Sequence, residues 1–207
     1  MSDPSKLSAS DARSLIGRRE LSPTELLEAC ISRIEAVNPK VNAIVATDFA
    51  RARREAKDAE KAVMAGGALP PLHGLPIGIK DLNATQGLRT TWGSKLFENY
   101  VPTEDEALVG RMRAAGGIIV AKTNTPEFGS GTATDNLVYG PTRNPFNLER
   151  TSGGSSGGSA AALATNMLPL CHGSDTGGSL RNPATWCGVV GFRSTPGLIP
   201  RENRTIN

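Results

Sequence analysis

The sequence predicts an α/β domain in which a β-sheet is covered by helices, and three stretches carry that prediction. "TEDEALVGRMRAAGG" runs directly into "IIVAKTN", so a capped helix, a glycine turn and an apolar strand follow one another, as in a helix–sheet layer. "LSPTELLEACISRIEAVNP" followed by "VNAIVA" repeats the helix-then-strand order. "LPIGIK", bounded by prolines and glycines, is a short apolar run of strand length.

Taken in order, the first helix spans Leu21 to Pro39. Ser22 suits the N-cap, Pro23 the first helical position, and Glu25 completes a capping box. Leu27, Cys30, Ile31, Ile34 and Val37 fall on one face, and Asn38-Pro39 is expected to end the helix. "VNAIVA" follows as a strand. "FARARREAKDAEKAVMAGG" is a second helix, charged on its outside and terminated by Gly66 and Gly67. "LPPLHGLPIGIKDL" carries the apolar run that ends in Lys80 and Asp81. Thr103 and Glu106 read as the capping box of the helix that precedes "IIVAKTN". From Pro126 to Arg150 the composition is that of a loop. "SAAALAT" favours helix, and "MLPLCHG" reads as a strand that Pro169 places near an edge. "SDTGGSLRNPATW" is a glycine turn opening a short helix, and "CGVVGF" a last buried strand.

Composition narrows the function classes. With 23 Lys+Arg against 20 Asp+Glu the net charge is +3, too near balance to imply a nucleic-acid or anionic-membrane partner. Aromatic residues make up 4% of the chain, so no base-stacking surface is expected. Cys30, Cys171 and Cys187 are odd in number and lack CxxC spacing, which argues for small buried side chains in a reducing, cytoplasmic setting. The first ten residues hold no apolar signal segment, and no apolar run has membrane-spanning length.

One stretch, "SGGSSGGSA" (152–160), has the composition of a flexible linker. Apolar elements follow within a few residues, which a linker between self-contained segments would not show. A phosphate cradle would need GxxxxGK[ST], or GxGxxG after a strand, and neither is present. Gly153-x-Ser155-x-Gly157 matches the G-x-S-x-G elbow, yet no carboxylate lies between Ser155 and the only later histidine, His172. His73 and His172 otherwise read as structural. Without a histidine relay a serine would need another base, and a lysine serves where burial holds it neutral. Lys80, closing "LPIGIK", and Lys122, closing "IIVAK", satisfy that pattern equally.

The segment "GGSSGGSAAALATNMLPLCHGSDTGGSLRNPA" (153–184) resembles the amidase signature family. "GLPIGIKD", "GSKLFENYVP", "TNTPEF" and "NPFNLERTSGG" are similar to the same family, so the likeness runs from about the second helix onward. The resemblance implies a mixed β-sheet covered by helices and an amidohydrolase acting on linear amides. It implies that Ser179 is the nucleophile, Ser155 the bridging serine with a cis bond to Gly154, and Lys80 the base rather than Lys122. It further implies an oxyanion hole built from the backbone N–H groups of Thr176, Gly177, Gly178 and Ser179. Ser156 and Ser159 would bond to backbone, and Asp175 and Arg181 would shape the pocket. Cys171 stands where the signature usually carries another small residue.

Family members are considerably longer. Residues 1–207 are therefore expected to form the N-terminal portion of a single amidase signature domain, with weak turnover or none as an isolated chain and with apolar faces open to homodimer formation. Neither a metal nor a cofactor is expected, and the partner is a small-molecule amide rather than nucleic acid or a membrane. An alternative within the same signature is the ammonia-releasing component of a glutamine-dependent tRNA amidotransferase, its A subunit, which passes ammonia to a partner. That component tends to read "GVVGLKPTYG" where this chain reads "GVVGFRSTPG". A non-catalytic scaffold is the remaining alternative.

Overall fold

The computed structural model describes residues 3–199. Its helices are α1 (Ala9–Gly17), α2 (Pro23–Val41), α3 (Phe49–Ala65), α4 (Ala107–Ala114), α5 (Gly157–Ala164) and α6 (Arg181–Cys187). Its strands are β1 (Ile44–Thr47), β2 (Pro76–Lys80), β3 (Ile118–Thr123), β4 (Arg143–Asn144), β5 (Asn147–Thr151) and β6 (Leu170–Cys171). Four of them form one mixed sheet in the order β1-β3-β2-β6, with β1 antiparallel to β3 and β2 parallel to both β3 and β6. The fold is α/β, with β2 and β3 as the inner, wholly buried strands. Among the described residues no helix is long and apolar enough to cross a membrane.

Alternation along the strands divides the interior into two faces. Ile118 and Val120 of β3 join the larger core, packed with Ile16 of α1, Leu27 and Ile31 of α2, Ala52 and Ala56 of α3 and Ala161 of α5. Ile119, with Ile77 and Ile79 of β2, turns to the other face and meets Leu88 and Val109 of α4. At the ends of these strands the same alternation separates two lysines. Lys122 pairs in register with Ile79, and Lys80 with Thr123, so the two side chains leave the sheet on opposite faces.

Helix α2 begins as its sequence specifies. Ser22 Oγ accepts the N–H groups of Thr24 at 3.0 Å and Glu25 at 3.4 Å. Its end differs from expectation: Pro39 lies inside the helix, which continues to Val41. Proline removes one N–H donor in the last turn, and the helix stops only where Asn42 turns left-handed at φ 53°. Asn38 then ties the turn to β1, accepting from the N–H groups of Ala43 at 2.9 Å and Ile44 at 2.8 Å.

Three further expectations are corrected. The Thr103–Glu106 box does not form: Glu106 is the N-cap of α4 and makes no side-chain capping bond. The 126–150 region is not loop throughout, since β4 and β5 pair as an antiparallel ladder whose polar residues lack an apolar alternation to reveal them. "CGVVGF" is not a strand. Cys187 ends α6, Val190 and Phe192 are exposed, and no described strand lies alongside to receive their backbone groups. The edge placement of "MLPLCHG" agrees with the sheet order, because β6 is an edge strand directly after Pro169.

Two substitutions separate the cap that forms from the one that does not. Ser22→Ala should cost about 1 kcal/mol of unfolding free energy in denaturant melts. Thr103→Ala should stay within about 0.5 kcal/mol of the parent.

Candidate active site

The serine-glycine stretch is buried along its whole length, from Ser152 to Ala160, and is no linker. Its glycines are required by close approach. A Cβ on Gly153, which sits at φ +81°, would lie 2.9 Å from Pro183 Cα, and one on Gly158 would overlap the backbone of Asn124. The loop therefore packs directly against β3 and the start of α6, and it delivers Ser155 and Ser156 to the N-terminal end of α5. The Gly154-Ser155 peptide bond is cis.

Lys80, the last residue of β2, projects from the sheet face that α5 covers and is fully buried. Its Nζ reaches Ser155 Oγ at 2.7 Å and Ser174 Oγ at 3.0 Å. Desolvation pulls the Lys80 amine down from 10.5 to about 7, against the opposing pull of the Asp175 carboxylate. Near neutral pH a large fraction of this lysine carries no charge and can accept a proton.

Lys122 is equally buried but differently partnered. It donates to the carbonyl of Asn83 and to Thr85 Oγ1 at 2.9 Å, and it lies 3.8 Å from Asp81. Desolvation lowers it to about 8, and the same burial raises Asp81. Among the described residues no serine hydroxyl bonds to it, so the two lysines that the residue pattern left tied are separated by their contacts: Lys80 faces the serines, and Lys122 braces the 81–85 turn.

Ser156 ties three segments together. Its N–H donates to the Ser179 carbonyl at 3.1 Å, its hydroxyl donates to the Ser174 carbonyl at 3.3 Å, and the Ser174 N–H returns a bond to Ser156 Oγ at 3.3 Å. Ser159 donates to the His172 carbonyl at 2.8 Å. Ser179 is thus held beside Ser155 through its neighbour's backbone, although no hydrogen bond joins the two hydroxyls among the described residues.

Asp175 organises the turn that carries Ser179. It accepts the N–H groups of Gly178 at 2.8 Å, Leu180 at 3.2 Å and Arg181 at 3.3 Å. Arg181 clamps it with two further bonds of 3.0 Å each, and Arg193 lies 3.7 Å away. The Arg181 guanidinium, with these amides, holds the Asp175 carboxyl far below the usual carboxylate range. One expected oxyanion donor is thereby engaged elsewhere: the Gly178 N–H points to Asp175. The amides of Thr176, Gly177 and Ser179 find no acceptor among the described residues. Thr176 and Gly177 are exposed, and Ser179 is half-buried. Ser174 was not singled out by sequence reading. Its only signal is its place five residues before Ser179, inside the matching segment.

The three cysteines are free thiols, and burial pushes Cys30 and Cys171 up to about 12 and Cys187 up to about 11. They are inert side chains at neutral pH. His73 Nε2 bonds the Ala59 carbonyl at 2.9 Å, a packing role. The described residues contain no cluster of His, Cys, Asp and Glu able to hold a metal ion.

Comparison with known proteins gives the family of this chain. The chain is 49% identical over 196 residues to the A subunit of the Roseiflexus castenholzii glutamyl-tRNA(Gln) amidotransferase, covering 95% of this chain and 40% of that one. It is 47% identical over 195 residues to an acylamidase of Rhodococcus erythropolis, covering 94% of this chain and 41% of the relative. Among solved structures, 6-aminohexanoate cyclic dimer hydrolase superposes with a TM-score of 0.81 at 42% identity, over 91% of this chain and 38% of that one. The chain thus spans about 40% of the length of the curated relatives it matches. The Amidase family model matches residues 25–205, and this chain belongs to that family, the amidase signature proteins.

Proposed function

We propose that this chain carries the acyl-transfer centre of an amidase that hydrolyses a linear carboxamide C–N bond, with Lys80, Ser155 and Ser179 as base, relay and nucleophile. The observation that carries the reading is the contact of 2.7 Å between a fully buried Lys80 and Ser155 Oγ, at an amine lowered to about 7. A neutral amine in hydrogen-bond reach of a hydroxyl is a general base that needs no histidine.

In the proposed reaction the Ser179 hydroxyl swings onto Ser155. Ser155 passes its own proton to the Lys80 lone pair and takes one from Ser179, whose oxygen forms a C–O bond to the amide carbon. Lys80 is then an ammonium. The proton returns through Ser155 to the departing nitrogen as the C–N bond breaks, leaving an acyl-Ser179. Water, deprotonated along the same route, attacks the acyl carbon, and the acid leaves with Ser179 restored. The developing oxyanion would accept from the N–H groups of Thr176, Gly177 and Ser179. The Gly178 amide joins them only by releasing Asp175. A preorganised donor of this kind contributes about 3–4 kcal/mol at the transition state.

A second reading is supported by the likeness to the Roseiflexus amidotransferase component. The same centre would then release ammonia from glutamine for use by a partner. Co-purification with a tRNA-binding subunit would favour it, and hydrolysis of simple amides without such a partner would favour the free amidase.

An active-site serine probe tests the centre without requiring turnover. A fluorophosphonate should label Ser179, with a rate that rises with pH about a midpoint near 7. Ser179→Ala should abolish labelling, and Ser155→Ala or Lys80→Met should slow it by about 100-fold or more. Labelling that survives Ser179→Ala undiminished would remove the proposal.

The neutral lysine also predicts a stability profile. Because the folded value of about 7 lies below the ordinary 10.5, unfolding takes up a proton between those limits. Stability on this account rises with pH across that window and is lowest below about pH 7. Lys80→Met should therefore be most favourable relative to the parent below about pH 7, with the difference shrinking toward pH 10.5 by at most about 1.4 kcal/mol per pH unit. Denaturant melts across that range measure it, and a pH-independent difference would show that Lys80 stays protonated.

A further inference from the structure

We infer that Ser174 is a positioning residue for Lys80: its hydroxyl accepts one N–H of the buried amine and so aims the lone pair at Ser155. The inference rests on the reading of Lys80 as the base. A neutral primary amine has two N–H donors and one lone pair, and it is free to rotate about its last bond. To take a proton from Ser155 it must present the lone pair to that hydroxyl, so its N–H groups need acceptors elsewhere. Ser174 Oγ, at 3.0 Å, is the other hydrogen-bond partner of Lys80 Nζ among the described residues. Ser155 Oγ, at 2.7 Å, is the shorter contact and the one that would exchange the proton.

The placement of Ser174 is fixed independently of Lys80. Its N–H and C=O are both bonded to the Ser156 hydroxyl, at 3.3 Å each, and Ser156 directly follows Ser155. The two hydroxyls that flank the amine are therefore clamped to one another through a single residue. Ser174 also precedes Asp175, the charged group that faces Lys80, and Asp175 is itself paired with Arg181 and Arg193. Lys122 and Asp81 sit across the sheet on the other face. A hydroxyl acceptor suits this place better than a carboxylate. It orients the amine in both protonation states without fixing a positive charge there, which a carboxylate at the same distance would do.

Two variants of one shape separate orientation from packing: Ser174→Thr keeps the hydroxyl and Ser174→Val replaces it with a methyl group. Two readouts apply, both on the full chain, with folding checked by circular dichroism. The titration of Lys80, followed by NMR of lysine labelled with carbon-13 at Cε, should shift down by about one pH unit in Ser174→Val, because the ammonium loses an acceptor. The plateau rate of fluorophosphonate labelling at Ser179 should fall about tenfold in the same variant. Ser174→Thr should hold both near the parent, with the rate within about threefold. If the valine variant does not fold, Ser174→Ala takes its place in the same comparison. Equal midpoints and rates for the threonine and hydroxyl-free variants, in a protein whose parent is labelled at Ser179, would overturn the positioning role alone. A parent that is not labelled at Ser179 would overturn the base assignment and this inference with it.

Discussion

A lysine amine enclosed without a direct carboxylate partner is the constraint on which the rest of this structure depends. At 0% exposure an ammonium loses its hydration, and only strong compensating contacts would keep it charged. Lys80 is offered two hydroxyls and, more distantly, a carboxylate already claimed by an arginine and three backbone amides. Losing the proton near neutrality is the consequence. Lys122 undergoes the same burial with different partners. Asp81 at 3.8 Å and a backbone carbonyl as acceptor offset part of the desolvation that lowers its amine to about 8. Two lysines leave neighbouring strands at adjacent registers, and partner chemistry alone makes one a candidate base and the other a brace.

The local architecture serves that placement. Strand β2 must be dry enough to carry a lysine into the core, and "PIGIK" achieves this with every residue buried. Gly78 leaves room in the sheet for Leu168 and Cys171, where a Cβ would lie 2.9 Å from Leu168 Cδ1. Helix α5 packs so closely at its start that its first two positions tolerate no Cβ, Gly157 against the side chains of Ser152 and Thr134 and Gly158 against the backbone of Asn124, which explains glycines where a helix would ordinarily prefer alanine. The composition that mimics a linker is the composition of tight packing.

Much of this was legible in the residues. The apolar runs located β2 and β3, and the Ser22 cap located the start of α2, because burial and capping act over a few neighbouring positions. The choice between Lys80 and Lys122 was not legible from pattern. It depends on which face of the sheet α5 covers, a property of the register between strands remote in sequence. Ser174 escaped notice for the same reason: its partner lies 94 residues away, and nothing in "GSDTGGS" marks one hydroxyl as facing inward. "CGVVGF" misled because an apolar run specifies a strand only where a neighbour offers its backbone. Pro39 misled because a proline in the last turn removes a single bond and leaves the helix otherwise intact.

Burial along the proposed relay runs in one direction. Lys80 is fully enclosed and Ser155 nearly so, Ser179 is half-buried, and Thr176 and Gly177 stand in solvent. The proposed proton transfer and oxyanion stabilisation would therefore be served unequally by these residues. Tuning Lys80 as the proposed base would require only that the amine be dry, and the β2–α5 interface supplies that burial. Donors aimed at a developing oxyanion gain most of their effect where water is excluded, since the same N–H groups in a high dielectric stabilise little more than solvent does. In the proposed mechanism hydroxyl activation is thus built into the sheet and the helix that covers it, whereas the full strength of the proposed oxyanion hole would depend on whatever excludes water from Thr176 and Gly177.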